Sequence, residues 1–237
     1  SALQDFFNYK GEDYFNQLES IGITLKRIDS IREYIPPSAN PVQKSDFIRW
    51  IILSKEGGFY SDTDILYVSP MNSLYEQVKL YNIVTCFYDE YFSIGFLGGT
   101  PENNFFKDVY ENSLTGFNPK KYESAGIPVI HRMITGQIKP HYRIIEKLRR
   151  RYSYYRVYHC DKEVIYPFNK GEIFNNCITN LYKNTIGIHW FAGYPISQEY
   201  NNKLDEHNYI NTDNTFTFFI NVLIGKPNRC SLTSVID

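Results

Sequence analysis

A chain of 237 residues, 43% of them hydrophobic, carries enough apolar surface for the core of one large domain. A formal net charge of −1 excludes the broad basic field that a nucleic-acid backbone demands. The four cysteines, Cys86, Cys160, Cys177 and Cys230, lie far apart without a CxxC pair, so free thiols in a reducing compartment are expected rather than a zinc site or a disulfide framework.

Residues 3–19 read as helical, with Gly11 as a break. Ile21 to Ile28 is rich in β-branched residues and predicts a short strand. Pro36, Pro37 and Pro41 then impose a loop, because proline fixes φ and lacks an N–H. From Val42 to Lys55, Phe47, Ile48, Ile51 and Ile52 recur at helical spacing, and Gly57 or Gly58 is placed to end that helix as a left-handed C′ residue. Phe59-Tyr60 and Ile65 to Val68 predict strand segments on either side of an acidic pair, Asp62 and Asp64. Asn82 to Tyr88 and Tyr91 to Leu97 predict two more strands, followed by a helix over roughly Asn103 to Asn112.

Gly126 opens another helical piece through Thr135, and Pro140 to Tyr154 predicts a helix carrying Arg149, Arg150 and Arg151, which is the pattern of a solvated face. Val157 to His159, Glu163 to Tyr166 and Thr185 to Trp190 predict strands, and Phe216 to Ile224 a final helix. No apolar run is long enough to cross a bilayer and no signal peptide is evident, so a cytoplasmic protein without a membrane span is expected. Alternating short strands and helices point to an α/β layer architecture, in which ligands sit at the carboxyl ends of strands. Asp62 and Asp64 fall where that rule places a site.

The chemistry concentrates between Lys44 and Met71. Carboxylates at i and i+2 project to one side of a strand, and such a pair suits a divalent ion that offsets the charge of a diphosphate. Held dry without a cation, the two would repel. Alone, a D-x-D is common and reads as a solvated turn. Asp46 and Arg49 lie three apart on one helix face, the spacing of a modest surface ion pair; on so apolar a helix they read instead as a binding wall, with Arg49 fixing Asp46. Asp89-Glu90 reads as a hairpin turn, and His131 and Arg132 as exposed.

Ser45, Asp46, Arg49, Leu53, Gly57, Gly58, Tyr60, Asp62 and Asp64 fill the pattern S-D-x-x-R-x-x-x-L-x-x-x-G-G-x-Y-x-D-x-D at every position. This resembles the DXD-motif sugar transferases of glycosyltransferase family 32, the outer-chain mannosyltransferase and capsular sugar transferase type. The large clostridial glucosylating toxins share the motif. Gly126-Ile127-Pro128, Tyr166-Pro167 and Ile188-His189-Trp190 are similar to later segments of that family, so the resemblance runs from about Val42 to Gly193. The family's usual opening strand, which reads like Ile-Pro-Lys-Ile-Ile-His, is not met at the start of this chain, so either it precedes Ser1 or this chain has diverged.

The resemblance implies a GT-A type nucleotide-diphospho-sugar transferase fold, α/β with a mixed central sheet flanked by helices. It would be a single domain over 1–237, with a nucleotide-sugar half over 1–100 and an acceptor half after it. It implies Asp62, Asp64 and His189 as ligands of Mn2+ or Mg2+, and Tyr60 and Trp190 beside the donor. Asp46 and Arg49 would hold the hydroxyls of the donor sugar, so that Asp46, Arg49 and Asp62 carry catalysis. The activity implied is transfer of a sugar from a nucleotide donor, UDP-linked in preference to GDP-linked, to a glycan or protein hydroxyl with retention of configuration. The residues leave open a nucleotide-sugar hydrolase, a Ca-dependent glycan-binding module and a toxin-like effector.

Overall fold

The computed structural model describes residues 15–26, 29–135, 155–203 and 212–227. In chain order its elements are α1 (Phe15–Ser20), a 3-10 helix (Asp29–Tyr34), α2 (Pro41–Lys55), β1 (Gly58–Ser61), β2 (Ile65–Tyr67), α3 (Asn72–Val78), β3 (Ile83–Tyr88) and β4 (Tyr91–Gly99). There follow α4 (Asn104–Thr115), α5 (Ile127–Thr135), β5 (Val157–Cys160), a second 3-10 helix (Lys162–Val164), α6 (Glu172–Asn175), β6 (Gly187–His189), α7 (Pro195–Lys203) and α8 (Thr215–Leu223). They fall into two units. One draws on Ser1–Gly58 and Gly98–Tyr155, the other on Phe59–Leu97 and Arg156–Asp237.

In the first unit α2 starts where proline is an asset, since Pro41 takes a first-turn position whose N–H would have no helical partner. Asn40 closes a capping box: its side chain accepts the Gln43 N–H at 3.0 Å, and Gln43 Oε1 accepts the Asn40 N–H at 3.0 Å. The helix packs on α4, which packs on α5. Trp50, fully buried, anchors the contact by stacking on Phe106 at 6.2 Å and donating its indole N–H to the Ala125 carbonyl at 2.8 Å. Phe47 meets Phe117 edge-on at 5.3 Å. Gly57 ends the helix with φ +68°, as the sequence predicts, and glycine is required there for a second reason: a Cβ would lie 2.5 Å from the Pro101 nitrogen.

The second unit is built on a four-stranded sheet in the order β1-β4-β3-β5. β3 and β5 run parallel, with Ile83 opposite Val157 and Cys86 opposite Cys160. β3 and β4 are joined only by Asp89 and Glu90, and so short a link closes only an antiparallel pair. Asp89 takes φ 53° in that turn and receives Lys162 Nζ at 3.0 Å. The sheet is therefore mixed, and the chain has the expected α/β architecture of a mixed sheet flanked by helices. Val84, Cys86, Phe96, Cys160, Ile165 and Tyr166 pack into its core. A separate two-stranded ladder pairs β2 with β6, antiparallel, and Ile188 lies beneath it against Phe168, Ile173, Phe174 and Phe219.

Several expectations are corrected. Ile21 to Lys26 forms a turn at Gly22, φ 86°, and irregular chain, with Ile21 and Ile23 exposed, so its β-branched residues find no partner strand. Glu163 to Tyr166 is a 3-10 turn and loop; Ile165 and Tyr166 are buried there without a ladder, so the apolar run reports burial rather than a strand. Cys177 is disulfide-bonded, which removes the thiol argument for a reducing compartment, whereas Cys86 and Cys160 are free. Burial pushes the Cys160 thiol up to about 12 and raises that of Cys86 further, so neither is a nucleophile. The expected basic helix over 140–154 and the opening helical stretch up to residue 14 lie outside the described residues. No helix among the described residues is long and apolar enough to cross a membrane.

Gly57→Ala should destabilise the protein by about 2–4 kcal/mol, adding the left-handed penalty to displacement of the Thr100-Pro101 backbone. Urea unfolding measures this, and a change under about 0.5 kcal/mol would contradict the tight approach.

Candidate metal centre

The acidic pair is not on a strand. β1 ends at Ser61, β2 begins at Ile65, and residues 62–64 form the turn between them. The turn, rather than strand alternation, brings the carboxylates together. Its entry is fixed by the Asp62 N–H, which donates to the Gly95 carbonyl of β4 at 2.7 Å. Tyr60 donates its hydroxyl to Asp62 Oδ1 at 2.9 Å and so orients that carboxylate. Ser61 Oγ donates to the Asp62 carbonyl at 3.0 Å and accepts the Tyr67 hydroxyl at 2.8 Å.

The exit is fixed by β6. The ladder sets His189 opposite Ile65, directly beside Asp64. Beyond the strand end, the Trp190 N–H donates to the Asp64 carbonyl at 3.0 Å and the Ala192 N–H to Asp64 Oδ2 at 2.8 Å. Between them Phe191 adopts φ 52°, a left-handed backbone that costs a residue with a Cβ about 1–2 kcal/mol. His189 Nε2 stands 3.2 Å from Asp64 Oδ1. One ligand atom each from Asp62, Asp64 and His189 lie within 4.8 Å of one another. Atoms sharing one ion at bonds of about 2.0–2.3 Å stand from about 2.8 Å apart as neighbours to about 4.6 Å apart when opposite, so the three need only a small inward adjustment to share a cation.

Burial lowers the His189 pKa below its usual value, and this outweighs the opposing pull of Asp64 and Asp62; Lys170 adds to the lowering. The ring is thus kept neutral, the form that ligates. Its Nδ1 accepts the Phe191 N–H at 3.1 Å, so the ring proton sits on Nε2 and faces Asp64. An ion at Nε2 would require the other tautomer, with the ring proton moved to Nδ1 and the Phe191 N–H bond given up. Two carboxylate oxygens and an imidazole nitrogen suit Mn2+ well and Mg2+ less well. The residues fit a divalent ion.

Sequence reasoning missed other groups here. Tyr166 is fully buried, its ring 5.0 Å from that of His189 and its hydroxyl bonded to Ser93 Oγ. Burial raises its pKa well above the usual value, so the phenol stays protonated. The aromatic-proline dipeptide marked the residue without a role. Gly95 and the amide of Ala192 carried no signal at all.

Asp46 and Arg49 form an ion pair at 3.0 Å within the first unit, each side chain 4% exposed, so it is a buried pair and not the surface bridge that the spacing suggests. Ser45 Oγ accepts Arg49 Nη2 at 3.5 Å. Trp190 packs edge-on to Phe174 at 6.3 Å and beside Phe216 at 5.5 Å. His131 and Arg132 are half-buried on α5 rather than exposed.

Residues 10–81 match the family model of the glycosyltransferase sugar-binding region containing DXD motif. No curated protein and no solved structure matches the chain. The matched segment holds α2, β1, the acidic turn and β2, and it supports glycosyltransferase activity in general terms. The mixed α/β architecture is consistent with a GT-A-like nucleotide-sugar transferase domain.

Asp46→Ala leaves a buried guanidinium without its carboxylate and should cost about 3–5 kcal/mol, read by chemical denaturation. A cost below about 1 kcal/mol would mean that the pair is solvated.

Proposed function

We propose that the chain transfers a sugar from a nucleotide-diphosphate donor, UDP-linked in preference to GDP-linked, to a hydroxyl of a glycan or protein, with retention at the anomeric carbon. What carries this reading is the convergence of Asp62, Asp64 and His189 at the acidic turn inside the segment that matches the sugar-binding region. Asp62, Asp64 and His189 would hold Mn2+ or Mg2+. When bound, the ion offsets the negative charge that builds on the departing diphosphate.

The remaining steps belong to the chain's own residues. Tyr60 and the Ala192 amide hold the two carboxylates in place, each through one oxygen. Asp46 accepts hydrogen bonds from the sugar hydroxyls, with Arg49 at 3.0 Å holding its carboxylate in place. Trp190 lies beside the donor. The acceptor hydroxyl attacks from the face the diphosphate leaves, and the leaving oxygen takes its proton. This front-face course follows from the motif's resemblance to retaining transferases.

The test is a panel of UDP- and GDP-sugars with Mn2+, read by released nucleotide with and without sugar and protein acceptors. The wild type should release nucleotide in an acceptor-dependent way, and Asp64→Ala should lose at least about 100-fold in turnover while its circular dichroism is unchanged. Release of free sugar regardless of acceptor would make it a hydrolase. Glycan binding with no response to UDP and Mn2+ would make it a binding module.

A further inference from the structure

Two lysines of the second unit reach the aromatic wall beside the candidate centre. Lys162 Nζ lies 5.0 Å from the centre of the Tyr88 ring, and its charge is met by Asp89 at 3.0 Å and by Asn169 Oδ1 at 3.3 Å. Lys170 Nζ lies 5.9 Å from the centre of the Phe191 ring, and its ammonium forms no ion pair or hydrogen bond among the described residues. A ring face attracts an exposed ammonium by only about 0.5–1 kcal/mol, so the charge of Lys170 is left uncompensated.

The Lys170 side chain is exposed, but the turn that carries it is fixed. Phe168 is buried in the cluster that holds Ile188 and Phe174. The Asn169 N–H donates to Glu172 Oε2 at 2.9 Å, and the Glu172 N–H donates back to the Asn169 carbonyl at 3.1 Å. Gly171 takes φ +80°, and a Cβ there would lie 2.8 Å from Ile196 Cγ2, so the turn is pressed against α7. Phe191 is held as firmly. Its ring stands 4.4 Å from that of His189, 5.5 Å from Tyr88 and 6.0 Å from Tyr166, and its N–H is taken by His189 Nδ1. The ammonium is therefore one aromatic ring away from a candidate metal ligand. Its charge is felt there, since Lys170 adds to the lowering of the His189 pKa.

A cation so placed opposes the loading of a divalent ion, and on its own it is a disadvantage. A diphosphate reverses the balance. With His189 neutral, Asp62 and Asp64 already balance a divalent ion, and the charge of the diphosphate is unmet. An ammonium on a flexible four-carbon stem is a point charge well suited to donate to phosphate oxygens. We propose that Lys170 swings from the face of Phe191 to donate to an oxygen of the donor's diphosphate, sharing with the ion the negative charge that grows as the sugar departs. This rests on the metal-assisted transfer reading and adds Lys170 to it as a direct contact.

The experiment compares wild type, Lys170→Met, Lys170→Arg and Asp64→Ala. Mn2+ affinity is measured by electron paramagnetic resonance without nucleotide, affinity for UDP and GDP by calorimetry with saturating Mn2+, and folding by thermal melting. Lys170 is exposed, so both of its variants should melt with the wild type. Lys170→Met should lose about tenfold in affinity for the nucleotide that the wild type takes, while its Mn2+ affinity stays level or rises. Lys170→Arg keeps the charge and should stay within about threefold of the wild type. A residue that merely braced the turn would lower both affinities together, and that result overturns the proposal. Nucleotide affinity of Lys170→Met within about twofold of the wild type also overturns it; where Asp64→Ala has lost Mn2+ in the same series, the metal reading survives that failure. A wild type that takes neither Mn2+ nor nucleotide overturns both. Should Lys170→Met fail to fold, Lys170→Gln takes its place in each comparison.

Discussion

The candidate centre depends on the pairing of β2 with β6. Without it Asp64 has neither its amide donors nor an imidazole beside it, because Trp190, Ala192 and His189 all arrive with the second strand. The hydrogen bonds themselves are modest, each worth about 1 kcal/mol net. Burial of Ile188, Phe174 and Phe219 beneath the ladder contributes about 1.5–3 kcal/mol for each side chain. Apolar packing therefore decides where the ligand stands, and the polar ties only refine it. The left-handed Phe191 is a cost that this packing sustains.

The three acidic positions shared with the family pattern live in two opposite electrostatic settings. Asp46 is buried with its charge met by Arg49 at 3.0 Å, an internal compensation that needs no ligand. Asp64 takes a backbone amide at 2.8 Å and a neutral imidazole at 3.2 Å, groups that orient a carboxylate without cancelling its charge. Asp62 stands beside it. One environment is finished by the fold, while the other keeps a net negative field suited to a cation.

Sequence reading reached the parts of this design that are written locally. The end of α2 at a left-handed Gly57 and the strands on either side of the acidic turn are short-range consequences of residue type, and all are found. The helix start was missed by one residue, because Pro41 read as loop when its missing N–H suits the first turn. What failed were two runs whose strand-like composition found no partner. Ile21 to Lys26 and Glu163 to Tyr166 have strand-like composition, but strand formation depends on a neighbouring edge that composition does not name. His189 could be named from a resemblance; its place opposite Ile65 is a matter of register across the chain. Gly95 was invisible because it matters through the Cβ it lacks, and that has meaning only once Asp62, Tyr166 and His189 pack against it.

The Asp64–Ala192 bond joins residues 128 positions apart, and this separation governs when the centre comes into being. Ribosomal synthesis delivers the acidic turn first and its clamping amide 128 residues later. Until then, residues 62–64 have no ladder to settle them, and closing so wide a loop is an entropic hurdle met late. The half-made chain carries the motif without the three-sided ligand set, so competence for a cation would come with the docking of β6.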